Sequence, residues 1–389
     1  MKKILVVFGT RPEAIKLAPV IKEMKKNKDF KVLVCVFRQH KEMLDQVLKT
    51  FDIRPDFDLG ISVNDKELLN EKVNVLIKIK TLIQSGFGFL RFFNILRREK
   101  PDLLMVEGDT STVFLAGFLA YYFKIKVAHV EAGLRTYDKY SPFPEEMNRQ
   151  LLCRLADFNF APTETARQNL LNEGVPDGKI YVTGNTAIDA LLWMNQKQKN
   201  HDFEKGRRED FMGKYGFDIN AGKKIILVTA HRRESFGEGL KNICAALKEL
   251  AEKRNDIMII YPVHLNPSVQ NVVYPALKDQ KNIFLTEPLD YESNIFLMSR
   301  SYLIMTDSGG IQEEAPSLNK PVLVMREKTE RVEGVEAGVS RLVGTDKSKI
   351  VNSAVELLDN SMIYESMIGR TNPYGDGKAA ERIISALRV

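Results

Sequence analysis

Leu303-Ile-Met-Thr-Asp-Ser-Gly-Gly-Ile-Gln-Glu-Glu-Ala-Pro-Ser-Leu-Asn-Lys-Pro-Val-Leu-Val-Met325 decides the fold class. It reads as a short apolar strand (Leu303 to Met305), a tight polar turn, a short helix and a second apolar strand (Val322 to Met325). Two strands joined by one helix make a parallel βαβ step. Asp307 and Ser308 are good N-cap residues, and Gly309 and Gly310 let a ligand lie against bare backbone. Unpaired amides at the positive end of a helix dipole suit an anion, above all a phosphate. Glu313 and Glu314 fit two readings that the residues alone leave open: ordinary partners of the dipole, or acceptors for a ribose diol.

The same alternation of strand and helix runs outward from this stretch. Strands are predicted at Ile4–Phe8, Lys31–Val36, Leu103–Glu107, Val127–Val130 and Phe158–Ala161, with helices at Ala14–Lys26, Glu42–Phe51 and Thr112–Tyr122. The pattern restarts at Ile225–Thr229 and continues through Met258–Pro262 and Ile283–Thr286. Most strands are continuous Val/Ile/Leu/Phe runs, as in parallel sheets covered on both faces. The fold class is therefore α/β, with two Rossmann-like, doubly wound domains. At 389 residues the chain is too long for one core. We place the first domain at residues 1–183 and the second at 184–370, dividing near Val182-Thr-Gly-Asn185. The polar segment 194–222 is expected to be an exposed helix or loop, and a final helix is expected at Gly377–Arg388, within a terminal segment 371–389.

The bulk composition excludes several classes. With 44% apolar and 28% charged residues, this is a soluble globular composition. The net charge of +6 is spread along the chain, which favours an anionic small molecule; no arginine-rich run or aromatic–basic interleaving points to nucleic acid. The first apolar run stops at Gly9, too short for a signal peptide, and Val113–Phe123 is too short to span a bilayer. Cys35, Cys153 and Cys244 lie far apart and imply neither a disulfide framework nor a metal cluster, which fits a reducing cytoplasm.

Ligands of doubly wound sheets sit beyond the carboxyl ends of the strands, so every motif there points to one interdomain cleft. Gly9-Thr-Arg-Pro-Glu-Ala-Ile-Lys16 follows the first strand; Arg11, at a helix start, suits bidentate phosphate pairing, and Lys16 either reaches the cleft or lies solvated. Asp109 follows the strand from Leu103, where it also suits an N-cap. Glu131 tips the next strand, and Glu145 and Glu146 open a helix behind two prolines. Carboxylates at three successive strand ends exceed what capping needs and suit acid–base work. In the second half His231, ahead of Arg232 and Arg233, fits phosphate contact better than metal ligation; His264 fits loop packing at least as well. No His/Asp/Glu set has metal-ligand spacing, and no G-x-G-x-x-G follows the first strand, so neither metal nor nicotinamide is indicated.

Together, Gly9-Thr-Arg-Pro-Glu-Ala-Ile-Lys16, His129-Val-Glu-Ala-Gly-Leu-Arg135, Glu145-Glu-Met-Asn-Arg149, Thr183-Gly-Asn-Thr-Ala-Ile-Asp189, His231-Arg-Arg-Glu234 and Asp307-Ser-Gly-Gly-Ile-Gln-Glu-Glu-Ala-Pro316 resemble the non-hydrolysing UDP-N-acetylglucosamine 2-epimerases over nearly the whole chain. The resemblance implies a GT-B-type fold with the C-terminal helix crossing back to the first domain, and a homodimer. It implies interconversion of UDP-GlcNAc and UDP-ManNAc, without metal or nicotinamide, by anti elimination of UDP through 2-acetamidoglucal. By motif, it implies that Asp109, Glu131 and Glu145 are the acid–base carboxylates and that Arg11, His231 and Arg331 hold the diphosphate. Ser308, Gly309 and Gly310 line it, Glu314 takes the ribose, and Lys16 and Arg149 stand in the cleft.

Three departures accompany the resemblance. Glu330-Arg-Val-Glu333 replaces the usual Glu-Arg-Pro-Glu, and an aromatic that usually packs on uracil near Asn294 is missing. Of the residues of an activating second UDP-GlcNAc site, Gln39, Glu131, Arg232 and His264 match, whereas Glu42 and Asp65 do not. The stretch Phe87–Leu96, four Phe around Arg91, suits a helix or loop buried at a dimer interface better than a partner or membrane-surface patch. Two other classes share the nucleotide end: a GT-B glycosyltransferase, which needs an acceptor, and a non-catalytic nucleotide-sugar sensor, which needs no carboxylates.

Overall fold

A computed structural model describes residues 1–38, 41–60 and 88–388. The chain divides into two compact units, one of residues 1–190 joined by the chain's end from Gly375, the other Leu191–Tyr374. Gln39, Asp65 and Phe87 lie outside the described residues; residues 88–96 form most of a helix, 88–99.

The first unit is built on seven parallel strands: β1 (Lys2–Phe8), β2 (Phe30–Val36), β3 (Phe57–Asp58), β4 (Leu103–Glu107), β5 (Lys126–Val130), β6 (Phe158–Ala161) and β7 (Ile180–Val182), in the order β3-β2-β1-β4-β5-β6-β7. The central residues of β1, β2, β4, β5 and β6 are buried, which is why these strands are mostly apolar on both faces. Chain order reverses between β1 and β4, and a doubly wound sheet opens a crevice for a ligand at that point. The register pairs Glu107 with Val130, so Gly108–Asp109 and Glu131 leave the sheet side by side.

The last helix, Ala379–Leu387, packs on the helix Arg11–Lys26 of this unit through Ile383, Ile384 and Leu387. Its first amides are capped by a buried carboxylate from the helix Thr186–Lys197: Asp189 accepts from Ala379 N (3.2 Å) and Ala380 N (2.8 Å). Burial pushes Asp189 up to about 6, against the pull of those two amides.

The second unit repeats the plan with six parallel strands: β8 (Lys224–Thr229), β9 (Ile257–Pro262), β10 (Ile283–Thr286), β11 (Leu303–Thr306), β12 (Val322–Val324) and β13 (Ser340–Leu342), ordered β10-β9-β8-β11-β12-β13. Its reversal lies between β8 and β11. Thr306 pairs with Thr229 there, and their hydroxyls meet at 2.6 Å. Two sheets of parallel α/β type are thus observed, as predicted. The segment 194–222 is largely the helix His201–Tyr215, which buries only Phe211 deeply. Strands β3 and β13 escape sequence reading because two or three residues carry no periodicity.

Candidate active site

At the first switch point the sequence Thr10-Arg-Pro-Glu13 opens the helix Arg11–Lys26 with the spacing of a capping box. Glu13 is buried and does more than cap: it accepts from Gly9 N (2.6 Å), Thr10 N (3.1 Å) and Thr110 Oγ1 (2.8 Å), tying the β1 turn to the β4 turn. Arg11 sits half-buried at the start of this helix. One turn on, Lys16 Nζ lies 2.6 Å from Glu131 Oε1 and 2.9 Å from Glu107 Oε1. Glu107 is fully enclosed; burial, then the nearby charge of Glu131, pushes its carboxyl well above the usual range, although Lys16 pulls the other way. Burial raises the proton affinity of Glu13 as well as that of Glu107, and the motif reading passed over both.

Glu131 itself adopts a left-handed φ of 63°, a conformation that costs a non-glycine residue about 1 kcal/mol or more. Lys16 and Asn185 Nδ2 (3.4 Å) hold its carboxylate. Two residues on, Gly133 has φ 92°, and a Cβ there would sit 2.2 Å from the carbonyl oxygen of Ala166, so only glycine fits. Asp109 is not a helix cap: Thr110 takes that place, accepting from Val113 N. Asp109 instead pairs with Arg149 through Nε (2.7 Å) and a terminal nitrogen (2.6 Å), and Asn148 Nδ2 donates to its carbonyl at 2.8 Å. Glu145 and Glu146 share the first turn of the helix Glu145–Leu155 and diverge. Glu145 is half-buried. Glu146 is buried, yet Gln150 and the amides of Thr136 and Tyr137 outweigh burial and hold its carboxyl below the usual range. His129 Nε2 donates to Gly108 O (2.8 Å), and its Nδ1 faces Cys153 Sγ at 3.5 Å, bracing the Asp109 turn from beneath.

The second switch point is built of opposite materials. Ser308 is the N-cap of the short helix Gly309–Glu314, but its hydroxyl makes no capping bond. Asp307, which the sequence offered as an alternative cap, is buried and serves another loop: Oδ2 accepts from the amides of His231 and Arg232, both at 2.7 Å. His264 stacks on His231 with ring centroids 5.1 Å apart. Arg331 lies over Gly309, where a Cβ would approach its guanidinium carbon to 3.2 Å, and Arg331 Nε donates to the buried Glu313 at 2.7 Å. Glu313 is thereby committed to Arg331, and Glu314 is the half-buried acid of the pair, close enough to act on the buried Tyr291 hydroxyl. Gly310 meets no atom within 4 Å of an added Cβ.

Two separate constellations result. Lys16, Asp109, Glu131, Glu145 and Arg149, with Arg11, gather at the tip of the first sheet. His231, Arg232, His264, Ser308, Gly309, Gly310, Glu314 and Arg331 gather at the tip of the second. Sequence reading missed Glu107, which announces itself only as a charge closing an apolar strand, and the joinery of Glu13, Glu146 and Asp307. Among the described residues no three or more His, Cys, Asp or Glu are grouped to hold a metal ion, and no helix is long and apolar enough to cross a membrane.

Known proteins fit this geometry. A family model described as UDP-N-acetylglucosamine 2-epimerase matches residues 22–388. UDP-N-acetylglucosamine 2-epimerase of Campylobacter jejuni is 50% identical over 387 residues, covering 100% of this chain and 97% of that protein. The enzyme of the same name from Escherichia coli K12 is 50% identical over 386 residues, covering 99% of this chain and 98% of that one. The crystal structure of UDP-GlcNAc 2-epimerase from Neisseria meningitidis bound to UDP-GlcNAc superposes with a TM-score of 0.85 at 45% identity, covering 99% of both chains. A likeness of this extent in sequence and in structure settles kinship: the chain belongs to the UDP-N-acetylglucosamine 2-epimerase family.

Proposed function

We propose that the protein is a non-hydrolysing isomerase that interconverts UDP-GlcNAc and UDP-ManNAc. The first unit supplies the acid–base groups, and the second holds the nucleotide. One carboxylate among Asp109, Glu131 and Glu145 takes the proton from C2. The C1–O bond breaks on the opposite face, its electron pair leaving with UDP, and 2-acetamidoglucal remains. A second carboxyl returns a proton to the other face of C2 while a β-phosphate oxygen of UDP re-forms the bond to C1. The C2 proton is weakly acidic, so the base must be held in place. Lys16 and Arg149 do that for Glu131 and Asp109. Cations fixed beside the leaving diphosphate lower the barrier most. Arg11, His231 and Arg331 have that role, with Ser308, Gly309 and Gly310 against the phosphates and Glu314 on the ribose. Gln39, Glu131, Arg232 and His264 match a second, activating UDP-GlcNAc site, whereas Glu42 and Asp65 depart from it.

One observation carries this reading: two carboxylates just past adjacent strand ends, each with a cation at 2.6 Å. The test is UDP-GlcNAc in heavy water with no acceptor present. Deuterium appears at C2, read by mass spectrometry; saturating substrate that gains no label refutes the elimination.

The enzyme works as a cytoplasmic homodimer that supplies ManNAc units for cell-surface polysaccharide. The helix Ser111–Tyr122 supports the dimer, since it is apolar almost throughout and leaves Phe118, Tyr121 and Tyr122 exposed beside Leu151. Sedimentation of the full chain checks this: a dimer mass is expected, reduced to monomer by Tyr121→Glu, and a monomer in the unaltered protein excludes it.

A further inference from the structure

At the second switch point, Asp307 is completely buried, and only half of its carboxylate is used. Oδ2 takes the amides of His231 and Arg232. Oδ1 has no hydrogen-bond partner. It lies 3.8 Å from Nδ1 of His231, too far for a bond and within reach of one after a small turn of the ring. An unpaired buried carboxylate oxygen is costly to keep, so a state of the protein that completes it is to be expected.

The neighbours decide where a proton goes. Nδ1 of His264 accepts from Asn266 N at 3.1 Å, so that nitrogen carries no proton. Burial and the adjoining His231 lower the proton affinity of His264, against the pull of Asp307. Two rings stacked at 5.1 Å with planes 16° apart do not both become cations. The other titratable groups packed here stay neutral. Tyr261, whose hydroxyl donates to Ala230 O, is pushed well above its ordinary value by burial, and burial pushes the Cys244 thiol up to about 12. Arg232 contributes a cation and Asp307 an anion, and Glu234 of the same loop pairs with Arg326.

We propose that Asp307 is a positioning residue for His231: with UDP bound, Oδ1 accepts a hydrogen bond from Nδ1–H, the ring is cationic, and Nε2–H donates to the diphosphate. This rests on His231 being a diphosphate contact. It gives the buried aspartate two tasks, setting the backbone of the β8 tip with one oxygen and the charge and direction of the ring with the other.

Protein labelled with 15N in its five histidines tests the proposal, with His231→Gln identifying the His231 signals. In the UDP-saturated protein, both ring nitrogens of His231 are expected to be protonated. In Asp307→Asn only one is, and UDP binds roughly tenfold more weakly, the loss of a charge-assisted hydrogen bond. In the His231→Gln background, Asp307→Asn is expected to cost no further UDP affinity. A singly protonated His231 in the UDP-bound unaltered protein overturns the proposal, and it does so even if Asp307→Asn fails to fold. So does an undiminished tenfold loss in the His231→Gln background, which makes Asp307 a backbone brace alone. Deuterium exchange at C2 separates this from the reaction: missing exchange with an intact two-proton signature sinks the epimerase reading and leaves the Asp307–His231 contact standing.

Discussion

The two switch points share a topology and differ in what they bury. At the first, the crevice between β1 and β4 holds Glu13, Glu107 and Glu146 out of water, with Asp109 and Glu131 at its edge and two cations steering them. At the second, the crevice between β8 and β11 offers glycines, amides, a histidine pair and Arg331, and its acids Asp307 and Glu313 are spent on holding those groups. The difference teaches that a doubly wound sheet fixes where a ligand goes, whereas the residues just past the strand ends fix what happens to it. On the proposed reading the first tip moves protons and the second holds an anion.

The sharpest way to break that division is to remove charge from the first tip while leaving its shape. Glu131→Gln keeps the volume and a hydrogen-bonding end beside Lys16. Loss of a positioned acid–base group costs roughly 10²–10⁴-fold, so C2 exchange is expected to fall by about 10³-fold while UDP affinity, read by calorimetry, stays within a few-fold. A loss of UDP affinity as large as the loss of exchange removes the division of labour.

A second test asks why only the first unit is completed by a distant segment. Asp189 pins the helix Ala379–Leu387 with a carboxyl raised from 3.8 to about 6. Between those values the folded protein keeps a proton that the unfolded chain has lost. Stability from this group is therefore full below about pH 4 and is lost as pH rises through about 6, by about 3 kcal/mol in all. Urea unfolding of Asp189→Asn beside the unaltered protein from pH 4 to 7 is expected to show that difference in slope. Parallel curves would mean that Asp189 does not titrate in this range.

At the second tip, Arg331→Ala removes the guanidinium that pairs with the buried Glu313 and, on the proposed reading, a cation beside the diphosphate. UDP affinity is expected to fall roughly 10- to 100-fold, the worth of a charged hydrogen bond. Exchange at saturating substrate should fall less. An equal fall in both would place Arg331 in the chemical step.

Much of this was legible beforehand because strands buried on both faces write themselves as unbroken apolar runs, and because ligands of doubly wound sheets lie at the carboxyl ends of the strands. That rule pointed to the glycine turn after β11, to Asp109 and to Glu131, each of which the structure places just past a strand end. What stayed hidden was pairing across the sheet. Asp307 looks like a helix cap because it precedes Ser308-Gly-Gly, and nothing local says that its carboxylate serves a loop 75 residues earlier. Glu107 looks like the first residue of a turn because enclosure by Lys16 and Glu131 is a tertiary fact. Glu13 was the exception. The Thr10-Arg-Pro-Glu13 spacing is a capping signature, and following it would have led to the Gly9 and Thr110 contacts.

The finest probe compares the two adjacent glycines of the second tip. Both lie in the helix Gly309–Glu314, where alanine in place of glycine favours the helix by up to about 1 kcal/mol. A Cβ on Gly309 approaches Arg331 to 3.2 Å, so the guanidinium must yield by a few tenths of an ångström; its flexible end makes that cheap for folding. A Cβ on Gly310 meets no protein atom, so any penalty there comes from the ligand lying against the backbone. Gly309→Ala is expected to weaken UDP about threefold, and to cost nothing further in Arg331→Ala, because the residue it displaces is gone. Gly310→Ala is expected to cost about as much in either background. If instead Gly309→Ala keeps its penalty without Arg331, the phosphate touches both glycines directly, and the second tip recognises it by backbone more than by charge.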